Sequence, residues 1–339
     1  MNRGCGKIED INFIKVIRVN IILLSGGSGK RLWPLSNDIR SKQFIKIFKA
    51  SGGNYESMLQ RVYRQIKEVD PVANVTIATS KNQVSTIHNQ LGVEVGISVE
   101  PYRKDTFPAI LLAAAYLTDI QEINSEEAVI ICPVDPYVEN YYFEVLKNMS
   151  KEVESGTANL VLMGIEPTYP SEKYGYIIPD EQSILSNVIT FKEKPDTETA
   201  KSYLAKGALW NGGVFACKLK YILEKGHELL NFKNYQDLME RYNSLEAISF
   251  DYAIVEKESN IKVMRYMGQW KDLGTWNTFT EAMEESVIGN GQINGSCSDV
   301  HIINELDMPV LAMGMNHTII SASPEGILVS DKEESSYIK

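Results

Sequence analysis

The chain has 339 residues with a formal net charge of −10, and 44% of its residues are hydrophobic and 23% charged. That length is enough to bury a full core in one large domain plus an appendage, while the acidic balance argues against a general nucleic-acid binder, which needs a basic face. No apolar run reaches the length of a membrane span, and the scattered cysteines, Cys5, Cys132, Cys217 and Cys297, form no Cys-x-x-Cys pair, which argues against a zinc site or disulfide framework and predicts a cytoplasmic setting.

Residues 1–18 read as an N-terminal extension. The stretch from Ile11 to Leu24 resembles a signal core only superficially, because Lys15, Arg18 and Asn20 interrupt it and no small-residue cleavage site follows. Ile21 to Leu24 is the first strand, Tyr55 to Val69 a helix, Val75 to Thr79 a second strand and Asn82 to Leu91 the next helix. Gly96 to Val99 then forms a strand. Thr106 to Thr118, with Pro108 near its start and three consecutive alanines inside, reads as a buried helix. Ala128 to Cys132 is a central strand that runs into Pro133-Val134-Asp135. Asp135 thus sits just past a carboxyl end, where open α/β sheets bind ligands.

The second half is less regular. Strands are expected at Leu160–Met163, Tyr176–Ile178, Val188–Lys192 and Gly213–Ala216, and helices at Thr197–Lys206, Leu219–Glu228 and Tyr235–Arg241. From about Ile293 the pattern changes to short β runs at Val300–Ile303, Val310–Met313, Thr318–Ser321 and Gly326–Val329. This tail is too small to bury a core alone, so it must pack on the main domain or on a partner chain. The alternation of β and helical runs before it predicts a mostly parallel sheet covered on both faces.

The most informative stretch leaves the first strand: Leu24-Ser25-Gly26-Gly27-Ser28-Gly29-Lys30-Arg31-Leu32-Trp33-Pro34-Leu35-Ser36, followed by Ser41-Lys42-Gln43-Phe44. Closely spaced glycines let a backbone approach a ligand and aim its N–H groups together at phosphate oxygens. Arg31 and Lys42 add positive charge. It is not a Walker loop, since Leu24 stands where the first glycine is needed and Arg31 where Ser or Thr is needed. A dinucleotide fingerprint also fails, because Leu32 replaces its third glycine. Taken alone, Gly26-Gly27 is also ordinary turn punctuation.

At these residues the chain resembles the sugar nucleotidyltransferases, and within them the bacterial-type mannose-1-phosphate guanylyltransferases. The resemblance continues in order through Glu100-Pro101 with Thr106-x-Pro108-Ala109, Pro133-x-Asp135, Tyr174-Gly175-Tyr176-Ile177 and Phe191-x-Glu193-Lys194-Pro195-Asp196. It ends with Trp210-Asn211-x-Gly213, Phe250-Asp251-Tyr252-Ala253 and Trp270-x-Asp272-x-Gly274-x-Trp276. It implies a Rossmann-like α/β nucleotidyltransferase domain over 19–288, with a mixed, mostly parallel sheet, and a β-helix-like tail over 289–339. The implied reaction transfers GMP from GTP to mannose 1-phosphate. A manno-heptose 1-phosphate as acceptor, or a non-catalytic nucleotide-sugar-binding subunit, are the alternatives. The isomerase extension of some bifunctional relatives does not follow this tail, so a single activity is expected.

The resemblance also implies site roles. Mg²⁺ is expected on Asp135 and Asp272, because the family places its metal aspartates at the matching motifs; two carboxylates from distant parts of the chain suit a hard cation. Arg31 and Lys42 are expected to neutralise the triphosphate, with Ser25, Gly26, Gly27 and Gly29 around the nucleotide and Glu100, Pro101 and Thr106 near the base. Lys194 is the candidate for the sugar phosphate, while Gly175, Glu193 and Asn211 complete a sugar pocket. Val134 and Pro136 depart from the Ser and His that the family carries around its first aspartate, and Asp105 and Phe107 from the Asn and Ala near the base. The four tryptophans are assigned to core packing. The tail makes a homodimer plausible.

Overall fold

The computed structural model describes residues 18–27, 30–37, 40–50 and 52–338. Of the expected N-terminal extension only Arg18 is among them, and Gly29 lies outside the described residues.

Alternate residues of the first strand, Asn20–Leu24, point to opposite faces of the sheet. Ile21 and Leu23 enter one core cluster and Ile22 the other, so the strand must be covered on both sides. The central sheet has nine strands in the order Gly96–Glu100, Asn74–Ser80, Asn20–Leu24, Ala128–Pro133, Leu209–Lys218, Leu160–Ile165, Ile261–Tyr266, Leu185–Lys192 and Tyr176–Pro179. The first four run parallel. The strand Leu209–Lys218 then runs antiparallel to both its neighbours, and its first residues also pair with Tyr176–Pro179. The sheet is therefore mixed, parallel where the glycine loop leaves it and antiparallel in most of its other half.

Helix Thr106–Asp119 is buried almost all round, as its alanine-rich sequence requires, and Asp105 caps it by accepting a hydrogen bond from the Thr106 N–H at 2.7 Å. The expected helix from Tyr55 begins later. Tyr55–Ser57 pairs as a short strand with Lys46–Lys49, and the helix runs Met58–Val69 from a Ser57–Gln60 capping box. Helix Tyr141–Glu154 and strand Ile261–Tyr266 were not anticipated.

The tail opens with strand Val287–Gly289, so the boundary expected at residue 288 falls inside it. Val287–Gly289, Ser298–Asn304 and Asn316–Ser323 stack in parallel, as do Gly291–Ile293 and Val310–Ala312, which is the coil-on-coil pattern of a small β-helix. Its own core is little more than Val300, Ile302, Ala312 and Ile320. Ile303 and Ile319 belong instead to the main core. The tail thus packs on the large domain, as its size demanded.

Trp276 and Trp210 are buried, with 0% and 4% exposure, but Trp33 is 38% exposed. The expectation of core packing fails for Trp33, which lies on the surface turn between the glycine loop and the tail.

Candidate active site

Where strand Asn20–Leu24 ends, the backbone is held from two sides. The Ser25 N–H donates to Ala78 O at 2.9 Å, and Gln43 Nε2 donates to Ser25 O at 3.0 Å and to its Oγ at 3.1 Å. Gly26 and Gly27 follow, and among the described residues no atom beyond the chain neighbours lies within 4 Å of where a Cβ on Gly27 would be. Their backbone therefore borders open space. That space is a cavity of about 420 Å³ lined by Leu24 to Gly27, Lys42, Gln43, Ala78, Glu100, Arg103 to Thr106, Ala109 and Pro133 to Asp135, a size that suits a nucleotide.

At one side of this cavity two acids meet one ammonium. Strand Pro136–Val138 pairs antiparallel with Trp270–Asp272, in a register that sets Asp272 opposite Pro136 and so beside Asp135. Lys42 Nζ lies 3.0 Å from Asp135 Oδ2 and 3.7 Å from Asp272 Oδ1, and donates to Leu273 O at 3.4 Å. Burial alone lowers the Lys42 pKa, but the two carboxylates outweigh it and the net shift is upward. Asp272 is pushed up by burial, with the like charge of Asp135 adding to it and Lys42 and Arg31 opposing. Arg31 is exposed on the turn Lys30–Leu32, where its charge reaches both groups.

Among the described residues no cluster of three or more His, Cys, Asp or Glu is placed to hold a metal ion. Two convergent carboxylates nonetheless fit Mg²⁺, which keeps several waters and takes substrate phosphates as its remaining ligands.

Gly175, Glu193, Lys194 and Asn211 form a second group, off the cavity wall but next to it. Asn211 Oδ1 accepts from the Gly213 N–H at 3.1 Å, and its Nδ2 donates to Asp251 Oδ1 at 2.7 Å. Lys194 Nζ pairs with Glu193 Oε1 at 2.8 Å. A Cβ on Gly175 would fall 2.5 Å from Glu193 Oε2 and 3.3 Å from Asn211 Cβ, so only glycine lets these side chains close over it. The strand carrying Asn211 changes register between Asn211 and Phe215, and a Cβ on Gly213 would sit 3.8 Å from Pro133 Cγ. That bulge is what brings the group up to the end of the Ala128–Pro133 strand. Tyr174 stands between the two groups, its ring centroid 4.9 Å from that of Trp210 and 5.4 Å from that of Trp270. Its hydroxyl is pushed up by burial and then by Asp272.

Two nucleotide-side expectations change. Pro101 does not line the cavity; it follows the last residue of strand Gly96–Glu100 and faces a neighbouring recess that shares Glu100 and Arg103 with the cavity. Thr106 lines the cavity, but its Oγ1 already accepts from the Phe250 N–H at 2.8 Å. Gln43, Arg103, Lys104, Tyr242 and Asp251 join the site unforeseen. Tyr242, fully buried, donates to Glu100 Oε2 at 2.8 Å. Gln43, Arg103 and Lys104 had no signal beyond a place inside or near a motif, Tyr242 had none, and Asp251 lay in the quoted Phe250-Asp251-Tyr252-Ala253 run.

Burial, and then the neighbouring Glu193, raises the Asp251 carboxyl to about 6. Its folded pKa then exceeds its unfolded one, so the native state binds the extra proton between about pH 4 and 6 and this group's share of stability falls as pH rises through that window. Asp251→Asn is expected to flatten the fall in stability between about pH 4 and 6, a difference of order 2 kcal/mol, read by thermal melts of both proteins across that range.

Residues 20–287 match the model of the nucleotidyl transferase family. The chain belongs to this family. Its relatives include the mannose-1-phosphate guanylyltransferase of Escherichia coli, 28% identical over 94% of this chain and 72% of that protein. The xanthan biosynthesis protein XanB of Xanthomonas campestris pv. campestris is likewise 28% identical, over 94% of this chain and 71% of its own length. Among solved structures, one described as a mannose-1-phosphate geranyltransferase from Thermus thermophilus superposes with a TM-score of 0.78 at 26% identity, covering 95% of this chain and 97% of that one. That fit spans tail as well as domain.

Proposed function

We propose that the chain transfers GMP from GTP to mannose 1-phosphate, giving GDP-mannose and pyrophosphate. The observation that carries this reading is the convergence of Asp135 and Asp272 on Lys42 beside a glycine-lined cavity; the named relatives supply the sugar. In this reaction a phosphate oxygen of the sugar attacks the α-phosphorus and pyrophosphate leaves, so no strong base is needed and the protein contributes alignment and neutralised charge. The Gly26-Gly27 backbone and Ser25 border the triphosphate, Arg31 and Lys42 neutralise it, and Glu100 and Thr106 face the base. Lys194 takes the sugar phosphate, while Glu193 and Asn211 pair with hydroxyls. Asp135 and Asp272 would hold Mg²⁺, which would supply neutralising charge to the phosphates.

Purified protein incubated with a panel of NTPs and sugar 1-phosphates, with and without Mg²⁺, tests this. Pyrophosphate release only with GTP, mannose 1-phosphate and the metal upholds it. Preference for another sugar transfers the same chemistry to that acceptor, for which Val134 and Pro136 at the metal aspartate are the specific reason. Binding of GDP-mannose without any turnover favours the regulatory alternative. We also propose a cytoplasmic homodimer joined through the tail, where Ile327 and Val329 stand exposed on strand Gly326–Asp331; sedimentation velocity reads its mass.

A further inference from the structure

The turn that follows the glycine loop rests on the tail through three separate contacts. Arg40 Nη1 and Nη2 donate to the two carboxylate oxygens of Glu305, each at 2.7 Å. This fork geometry fixes orientation even where, as here, partial exposure limits its energy. Ser323 Oγ, itself buried, donates to Pro34 O at 2.8 Å. Gly326 lies under the Trp33 ring, so close that a Cβ there would come 2.6 Å from Cζ2 and 2.8 Å from Cη2, and its φ of +149° further restricts the position to glycine. From the other side Trp276 Nε1 donates to Trp33 O at 3.2 Å, which ties the same turn to the Trp270–Trp276 motif that carries Asp272.

Trp33 and Pro34 are two and three residues from Arg31, and Arg40 is two from Lys42. The tail therefore grips both ends of the segment that carries Arg31 and places Lys42 in the cavity wall. Leu32 and Leu35 anchor the middle of this turn in the main core, whereas Trp33 and Arg40 reach outward to the tail, and segments that bind ligands belong to the least stable parts of a fold unless something braces them. Nothing in the tail approaches the cavity itself: among the described residues, its lining ends at Asp135.

We infer that Glu305, Ser323 and Gly326 are positioning residues, and that the tail is a strut which fixes Arg31 and Lys42 for the triphosphate while leaving the sugar side untouched. The kinetic part of this inference rests on the proposed reaction; the mechanical part does not.

Two variants of the full chain test it, Glu305→Gln, which breaks the charged fork at a part-exposed site with no demand on folding, and Gly326→Ala, which drives the Trp33 ring off its seat. Both are compared with Leu311→Ala, an exposed tail position away from the contacts. The first readout is the KM for GTP against that for mannose 1-phosphate. The second is the rate at which trypsin cuts the native chain after Arg31, followed by mass spectrometry. The strut predicts a KM for GTP raised at least about fivefold, a KM for mannose 1-phosphate within about twofold, and cleavage accelerated at least about fivefold, with Leu311→Ala unchanged in all three. Equal rises in both KM values, or cleavage rates within twofold of the unmodified chain in both variants, overturn it. Should the unmodified chain turn over no GTP at all, the proposed reaction falls while the cleavage rates alone still decide the strut: acceleration upholds it and an unchanged rate overturns it.

Discussion

Asp272→Asn is expected to lower pyrophosphate release from GTP and mannose 1-phosphate by a factor of about a hundred or more, the usual loss when one charge-stabilising group leaves a phosphoryl or acyl transfer site. The substitution is nearly isosteric and keeps an oxygen, so it removes charge and leaves shape. Folding is spared. Lys42 retains its nearer partner, Asp135 at 3.0 Å, and the lost carboxylate was one that burial already disfavoured, so the melting temperature is expected to hold or rise slightly. The decisive measurement is turnover as a function of Mg²⁺ concentration, with circular dichroism as the control. A variant that keeps more than about a tenth of the activity at saturating Mg²⁺ removes Asp272 from the metal site.

The second large effect is structural. Trp276 is fully buried, meets Phe279 edge-on at 5.7 Å and gives its indole N–H to Trp33 O. Trp276→Ala leaves an unfilled hole and a carbonyl without its donor, at a cost of about 3–5 kcal/mol, equivalent to a Tm lower by about 10 °C in a protein of this size. Trp276→Phe refills most of the volume and loses only the hydrogen bond, so it is expected to cost about 1 kcal/mol. Denaturant melts of the two variants separate packing from hydrogen bonding. Equal losses in both would mean that the indole N–H, rather than the ring's bulk, holds the turn.

Local pattern carried much of this architecture. The run Asn20–Leu24, the alanine-rich Thr106–Asp119 and the change to short β runs near Ile293 each announce themselves within a few residues, because burial on two faces, burial all round and repeated short strands leave different signatures. Tyr55–Ser57 was read as helix because its three residues precede a strongly amphipathic segment without a break, and only pairing with Lys46–Lys49 makes them a strand. Strand Pro136–Val138 was unreadable for a better reason: three residues carry too little pattern to announce a strand, although a proline at the first position of such a ribbon is tolerated. Asp135, Asp272 and Lys42 were legible because each lies in a dense motif. Tyr242 was not, since nothing near it in sequence points to Glu100, 142 residues away. Arg103 and Lys104 filled unspecified positions between motif residues, and solvated basic pairs are too common to single out. Pro101, also in a motif, lies in the adjoining recess, one residue past the strand that brings Glu100 to the cavity.

The ribbon that sets Asp272 beside Asp135 also fixes when the protein becomes competent during its own synthesis. A nascent chain that has emerged as far as residue 260 already holds the glycine loop, Lys42, Asp135 and the sugar-side residues, yet only one of the two acids. Its partner arrives with Trp270–Asp272, and the brace on the Trp33 turn arrives later still, with the coils of the tail. Ribosome-bound intermediates that stop short of residue 270 are thus expected to carry a pocket with one of its two acids missing.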